Sequence, residues 1–196
     1  MKTKITYKDI VAMKPCYMPE EIGIEKGYSA TIPDFINEYR DKVKSPEDII
    51  WTVARPDYMN EKDRMLFAVW CAREALKLIK NPDQRSIDAC DVAEWYANGE
   101  ATDDELATAE AAAWAARAAA WAARAAVWAS EAAAEAAAGA ARAAAWAAED
   151  DVEAAWAAAE AAAGAAGAAA WAAEDDVEAA WAAAIRKQID KLLTFF

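Results

Sequence analysis

The chain has 196 residues, 57% of them hydrophobic by type, no histidine and a formal net charge of −13. The first 100 residues carry 15 basic and 18 acidic side chains, the remaining 96 carry 6 and 16, so the acidity is concentrated in the second half. A surface of this sign repels nucleic acid and anionic lipid, which excludes general DNA or RNA binding.

In chain order, residues 1–30 contain Pro15, Pro19, Gly23 and Gly27 and read as an irregular, partly packed arm. IPDFINEYRDKV predicts a short helix after Pro33. SPEDIIWTVAR predicts another, with Ser45 as N-cap, Pro46 at the first helical position and Asp48 three residues beyond the cap. Asn60 caps a longer helix in which Met65, Val69, Ala72, Leu76 and Ile79 recur at helical spacing as one apolar stripe. NPDQRSIDACDVAEWYANG supplies the next helix and its stop signal, Asn98-Gly99. Thr102 and Glu105 have the spacing of a capping box that opens a further helix.

From Ala107 to Ala184 alanine dominates, and its helix propensity predicts helix throughout. At about 100° per residue, Trp114, Trp121, Trp128, Trp146, Trp156, Trp171 and Trp181 fall within an arc of roughly 140°. Arg117, Arg124, Arg142 and most of the acidic residues share that arc, and the opposite side is nearly bare alanine. Such a face lets helices approach to about 8 Å. AAAWAAEDDVEAAWAAA occurs at Ala143–Ala159 and again at Ala168–Ala184, a 25-residue duplication that keeps nearly the same face. The expected fold is all-α: an antiparallel helical bundle or stack whose long Ala-rich helices carry an alanine face and a Trp/charged face. Residues 1–100 form the arm and short-helix region, and residues 101–196 the Ala/Trp-rich region, which shares one continuous core with residues 60–100. The alanine faces predict a homo-oligomer.

Cys16, Cys71 and Cys90 are odd in number and lack CxxC spacing, as expected of reduced thiols in a cytoplasm. The longest uncharged run of the Ala/Trp region, Ala161–Ala173, has 13 residues, too short to span a membrane. No motif calls for a metal or cofactor, and without histidine, a GxSxG motif or a phosphate-cradling loop the chain is expected not to be an enzyme. The EDDVE clusters at 149–153 and 174–178 read as helix caps and solvated charge.

LFAVWCAREALKLIKNPDQRSIDACDVAEWYANGEATDDELATAEAAAWAARAAAWAAR resembles the core of an immunity-protein family of bacterial polymorphic-toxin systems, the fifth in that series. The resemblance rests on a Cys-Ala helix, a Pro-Asp-x-Arg turn, an Ala-rich helix ending in Gly-Glu and Ala-Ala-Arg repeats. It covers residues 60–125 and continues loosely to Ala184. The Ala/Trp-expanded form is also similar to accessory, counter-defence proteins of bacteriophages. The resemblance implies an all-helical binder that neutralises a target by occupying it, in the cytoplasm of a bacterial host cell, and carries Asp83 and Arg85 over as site positions. The family's later helices usually contain histidines, which this chain lacks.

The candidate binding residues are therefore Asp83, Arg85, Trp114, Arg117, Trp121, Arg124, Trp128 and Arg142. Asp83 and Arg85 either brace a helix entrance or grip an anion. The Trp/Arg pairs, three residues apart on one face, either fill grooves between alanine helices or stack a nucleotide base while arginine meets phosphate. Two targets are open, a host effector or toxin protein and a small nucleotide immune signal. A structural or oligomerisation spacer with no ligand is the alternative.

Overall fold

The computed structural model describes residues 1–79, 81–123, 160, 164 and 177–196, with side chains through 116 in the sixth helix and from 179 in the last. These residues are mostly helical, with seven α-helices and one two-stranded sheet.

The first thirty residues are more ordered than their prolines and glycines suggest. β1 (Lys4–Thr6) pairs antiparallel with β2 (Ser29–Thr31), with Ile5 opposite Ala30. Each strand ends in a threonine that caps the helix after it. Thr6 and Asp9 form a reciprocal capping box at α1 (Tyr7–Ala12), and the Thr31 hydroxyl accepts from the Asp34 N–H at α2 (Ile32–Tyr39). Pro33 lies inside the first turn of α2, where its missing N–H is no loss. Between α1 and β2 the chain makes one 3-10 turn, Pro19–Ile22, ended by Gly23 at φ +84°. Ile5 and Ile24 are fully buried, so the expected irregular arm is in fact a wall of the core.

α3 (Glu47–Val53) begins one residue later than the Ser-Pro signal predicts. The Ser45 hydroxyl turns to donate to Glu47, and it is the Ser45 carbonyl that accepts from the Asp48 N–H, at 3.0 Å. The predicted Ser45 side-chain cap is therefore replaced by a tight backbone turn.

α4 (Glu61–Leu76) is capped by Asn60, whose side chain accepts from the Asp63 N–H at 2.7 Å. The predicted stripe of Met65, Val69, Ala72 and Leu76 is buried, with Ile79 packed against it. A second set, Phe67, Ala68, Cys71 and Ala75, is buried as well, so α4 is enclosed on more than the one face its periodicity marks. Arg64 is also inside and donates to the Met59 carbonyl at 2.7 Å.

α5 (Gln84–Ala97) ends as the Asn-Gly pair requires. Gly99 takes φ +76°, its N–H bonds to the Tyr96 carbonyl, and the Glu100 N–H reaches the Trp95 carbonyl at 2.7 Å. Three residues on, the Thr102 hydroxyl accepts from the Glu105 N–H while the Glu105 carboxylate accepts from the Thr102 N–H. This capping box opens α6 (Asp103–Ala123), which packs back on α5. Leu106, Ala109, Ala113 and Ala116 form its buried stripe, and Trp114 faces outward. As far as Ala116, the smooth flank of α6 is thus consumed within the chain.

α7 (Val177–Leu192) returns to the first half of the molecule. Ile185, Gln188, Ile189 and Leu192 are buried along one side, against α3 and α4. Arg40, at the end of α2, meets Asp190 at 2.6 Å. Phe195, in the closing 3-10 turn (Leu193–Phe195), sits edge-on to Phe67 at 6.4 Å. One core cluster therefore runs from Ile5 to Leu192. No helix among the described residues is long and apolar enough to cross a membrane.

Candidate functional site

Asp83 and Arg85 are brought together, but on each other. Asp83 is the N-cap of α5: its Oδ1 accepts from the Arg85 backbone N–H at 2.9 Å and from Arg85 Nε at 3.0 Å, and its Oδ2 accepts from Arg85 Nη2 at 2.7 Å. The Arg85 guanidinium holds the Asp83 carboxyl below its ordinary value. The pair braces the helix entrance, and the guanidinium fork, the part that would grip an anion, is filled by a carboxylate of the same turn. The shallow groove beside it, between α5 and α6, adds Asp88, Asp104 and Glu105 to the negative side.

Trp114 is 42% exposed on α6. Arg117 and Trp121 follow on the same helix at backbone level, with side chains outside the described set. Arg124, Trp128 and Arg142 lie outside the described residues.

A site the sequence reading did not pick out lies elsewhere. A cleft of about 450 Å³ opens between the segment 10–24, the start of α3 and the first turns of α7. Ile10, Ile22, Phe35 and Val43 give it apolar walls, and the rings of Tyr17, Trp51 and Trp181 add aromatic faces. Its charged groups are carboxylates, Glu47 and Asp48 at the entrance to α3 and Glu160, beside the neutral hydroxyls of Tyr17, Ser45 and Thr52.

Two of these carboxylates, Glu47 and Asp48, are held in place by neighbours. Trp181 Nε1 donates to Glu47 Oε1 at 2.9 Å, and the Ser45 hydroxyl donates to the other oxygen. Asp48 Oδ2 accepts from the Tyr17 hydroxyl at 2.7 Å and from the Ser45 N–H at 3.2 Å. The Trp181 ring also packs at Gly164, where an added Cβ would meet its Cζ3 at 3.5 Å. Trp181 is therefore both a groove filler and part of a cleft wall.

Electrostatics move the titratable groups apart. Burial works to raise the Glu47 carboxyl, but hydrogen bonds from Ser45, its own backbone N–H and the Trp181 indole outweigh it and hold the group below its ordinary value. Burial, reinforced by the hydrogen bond to Asp48, pushes the Tyr17 phenol well above its usual range. At neutral pH Glu47 stays ionised and Tyr17 stays protonated.

Cys16 lines the cleft and is exposed, whereas Cys71 and Cys90 are buried. Burial pushes the Cys71 thiol well up and the Cys90 thiol up to about 12, so both are protonated core side chains. Among the described residues no group of three or more potential ligands is placed to hold a metal ion.

The cleft was hard to see in the sequence because its residues are far apart. Tyr17 sits in the presumed arm, Glu47 and Asp48 look like first-turn acids, and Trp181 is one of seven similar tryptophans. The available signal was that Trp181 alone of these directly precedes the amphipathic IRKQIDKLL segment, which must dock somewhere. No family model, curated protein or solved structure matches the chain.

Proposed function

We propose that the chain is a non-catalytic, immunity-like neutralising protein of the counter-defence kind, acting in a bacterial cytoplasm, which sequesters its target by enclosing an apolar group of it in the Tyr17–Glu47–Trp181 cleft. The observation that carries this reading is the cleft itself: apolar and aromatic walls with a few fixed polar groups, on the scale of ordinary ligand pockets. Glu47 and Tyr17 are shifted away from neutrality in opposite directions, which suits recognition and opposes proton transfer near pH 7.

Of the two targets raised by the sequence, an effector protein fits this site better than a nucleotide. Phosphates would face the Glu47, Asp48 and Glu160 carboxylates, and Arg85 is already committed to Asp83. Self-association through the Ala-rich segment belongs to this proposal only beyond Ala116, because the buried stripe of α6 is already covered by the chain's own core.

Native mass spectrometry of the full chain recovered from bacterial cytosol tests the reading, in parallel with Ile22→Trp, which fills the cleft. The expected result is a retained partner mass on the natural chain and its loss from the variant. Equal retention by both, or none by either, sinks the assignment of the cleft.

A further inference from the structure

The cleft's chemistry also narrows what enters it. Glu47, Asp48 and Glu160 contribute negative charge, and its described lining contains neither lysine nor arginine. The hydrogen bonds that hold Glu47 and Asp48 come from neutral donors: an indole N–H, a serine hydroxyl, a phenol and a backbone N–H. Neutral donors fix a carboxylate's orientation but leave its charge in place. None of the three carboxylates forms an ion pair within the described residues.

Nearby cations are engaged outside the lining. Lys44 Nζ lies over the Tyr17 ring at 4.8 Å and bonds Glu21 at 2.5 Å, and the Arg55 guanidinium lies over Trp51 at 4.1 Å. Among the described residues, the cleft therefore combines carboxylates that form no ion pair with aromatic faces, the two surfaces that attract an organic cation, above an apolar floor that takes a hydrocarbon body. Its volume accommodates an aromatic ring and one neighbouring long side chain. The chain's net charge of −13 favours encounter with a basic surface.

Resting on the reading of this cleft as the binding site, we infer that its occupant is a segment of the target protein carrying a lysine or arginine beside an aromatic residue. The cation sits at Glu47 and Asp48, and the ring lies among Phe35, Trp51 and Trp181.

Isothermal titration calorimetry of the full chain with three blocked dipeptides tests this. N-acetyl-Phe-Lys-amide carries the cation, N-acetyl-Phe-norleucine-amide keeps the shape without it, and N-acetyl-Phe-Glu-amide reverses the charge. The lysine peptide is expected to bind about tenfold more tightly than the norleucine peptide, as a charge-assisted bond gains over a neutral contact, with the glutamate peptide weakest. Glu47→Gln keeps an oxygen for Trp181 but removes the charge, and should shrink the preference for the lysine peptide over the norleucine peptide to about twofold. Location is read by maleimide labelling of the folded chain. Cys16 is the exposed thiol of the three, and the bound lysine peptide should slow its modification.

If the norleucine peptide binds as tightly as the lysine peptide and protects Cys16 equally, the cation assignment is overturned while the cleft stands as a binding site. If 4-phenylbutylamine outcompetes the lysine peptide, the occupant is a free amine and the protein-segment assignment fails. Absence of heat and of Cys16 protection with every probe overturns the cleft reading as well.

Discussion

α4 and α6 bury apolar faces by opposite means. α4 fills the centre of the molecule with Met65, Phe67, Val69 and Leu76, interleaved with Ala68, Cys71, Ala72 and Ala75. Among its described side chains, α6 buries Leu106 and then methyl groups, at Ala109, Ala113 and Ala116. The first helix gains stability from apolar area and the second from close approach, since each alanine removes little surface from water. The two should therefore fail in opposite directions, α4 when a side chain is made smaller and α6 when one is made larger.

Phe67→Ala gives the largest expected effect. Phe67 is fully buried and meets Phe195 edge-on, so truncation should cost about 3–5 kcal/mol. A urea unfolding midpoint measures it, and a loss under about 1 kcal/mol would show that α4 is not the organising helix. Ala113→Leu is next. With no exposure at Ala113 there is no room for three extra carbons, and overpacking should cost about 1–3 kcal/mol. A neutral or stabilising result would mean that α6 is loosely seated and that its smooth flank does no packing. Trp114→Ala on the same helix should change stability far less, because that indole is 42% exposed.

Most of what the sequence made legible was local. The caps at Asn60 and Thr102 and the Asn98-Gly99 stop depend on contacts within a few residues, so spacing alone exposes them. The alanine flank of α6 was legible for the same reason, since helical period fixes a face. What escaped notice was long-range. The strands Lys4–Thr6 and Ser29–Thr31 have three residues each, too short for alternation to register, and they exist because Ile5 and its partner strand close one side of the core. Ser45 matched an N-cap pattern, yet its hydroxyl was drawn off to Glu47. The cleft depends on Tyr17 meeting Asp48 across 31 residues and on Trp181 meeting Glu47 across 134. A helical wheel could place Trp181 on a face but could not say what that face would touch.

Charge sharpens the comparison further, because the lowered carboxylates lie mainly on the segments that surround α4. Asp9 is raised by burial but lowered more by Lys2 and Thr6, and it ends below its ordinary value of 3.8. Glu47 ends below 4.5, and Asp83, bonded by Arg85, ends below 3.8. A carboxyl lowered in the folded state stabilises above its unfolded value, and that contribution is lost as pH falls through the folded one. Unfolding midpoints should therefore be steady from pH 7 to 5 and decline below about pH 4. A steady midpoint down to pH 2 would mean that these bonds do not hold the folded state. The Glu47→Gln chain should decline less steeply.

The smallest effect separates the two roles open to Asp83 and Arg85. Asp83→Ala removes the acceptor of the Arg85 backbone N–H, and loss of such a cap costs about 1 kcal/mol. Arg85→Ala removes only the exposed guanidinium and leaves the same backbone N–H bonded to Asp83, so it should destabilise less than Asp83→Ala. Equal losses from the two substitutions would mean that the guanidinium, not the cap, organises the α5 entrance. If Arg85→Ala were instead thermally silent but abolished capture of a partner, the pair would regain the binding role that its geometry here assigns to the cleft. The comparison is read most cleanly by hydrogen exchange at the first turn of α5, which Asp83→Ala should loosen and Arg85→Ala should leave protected.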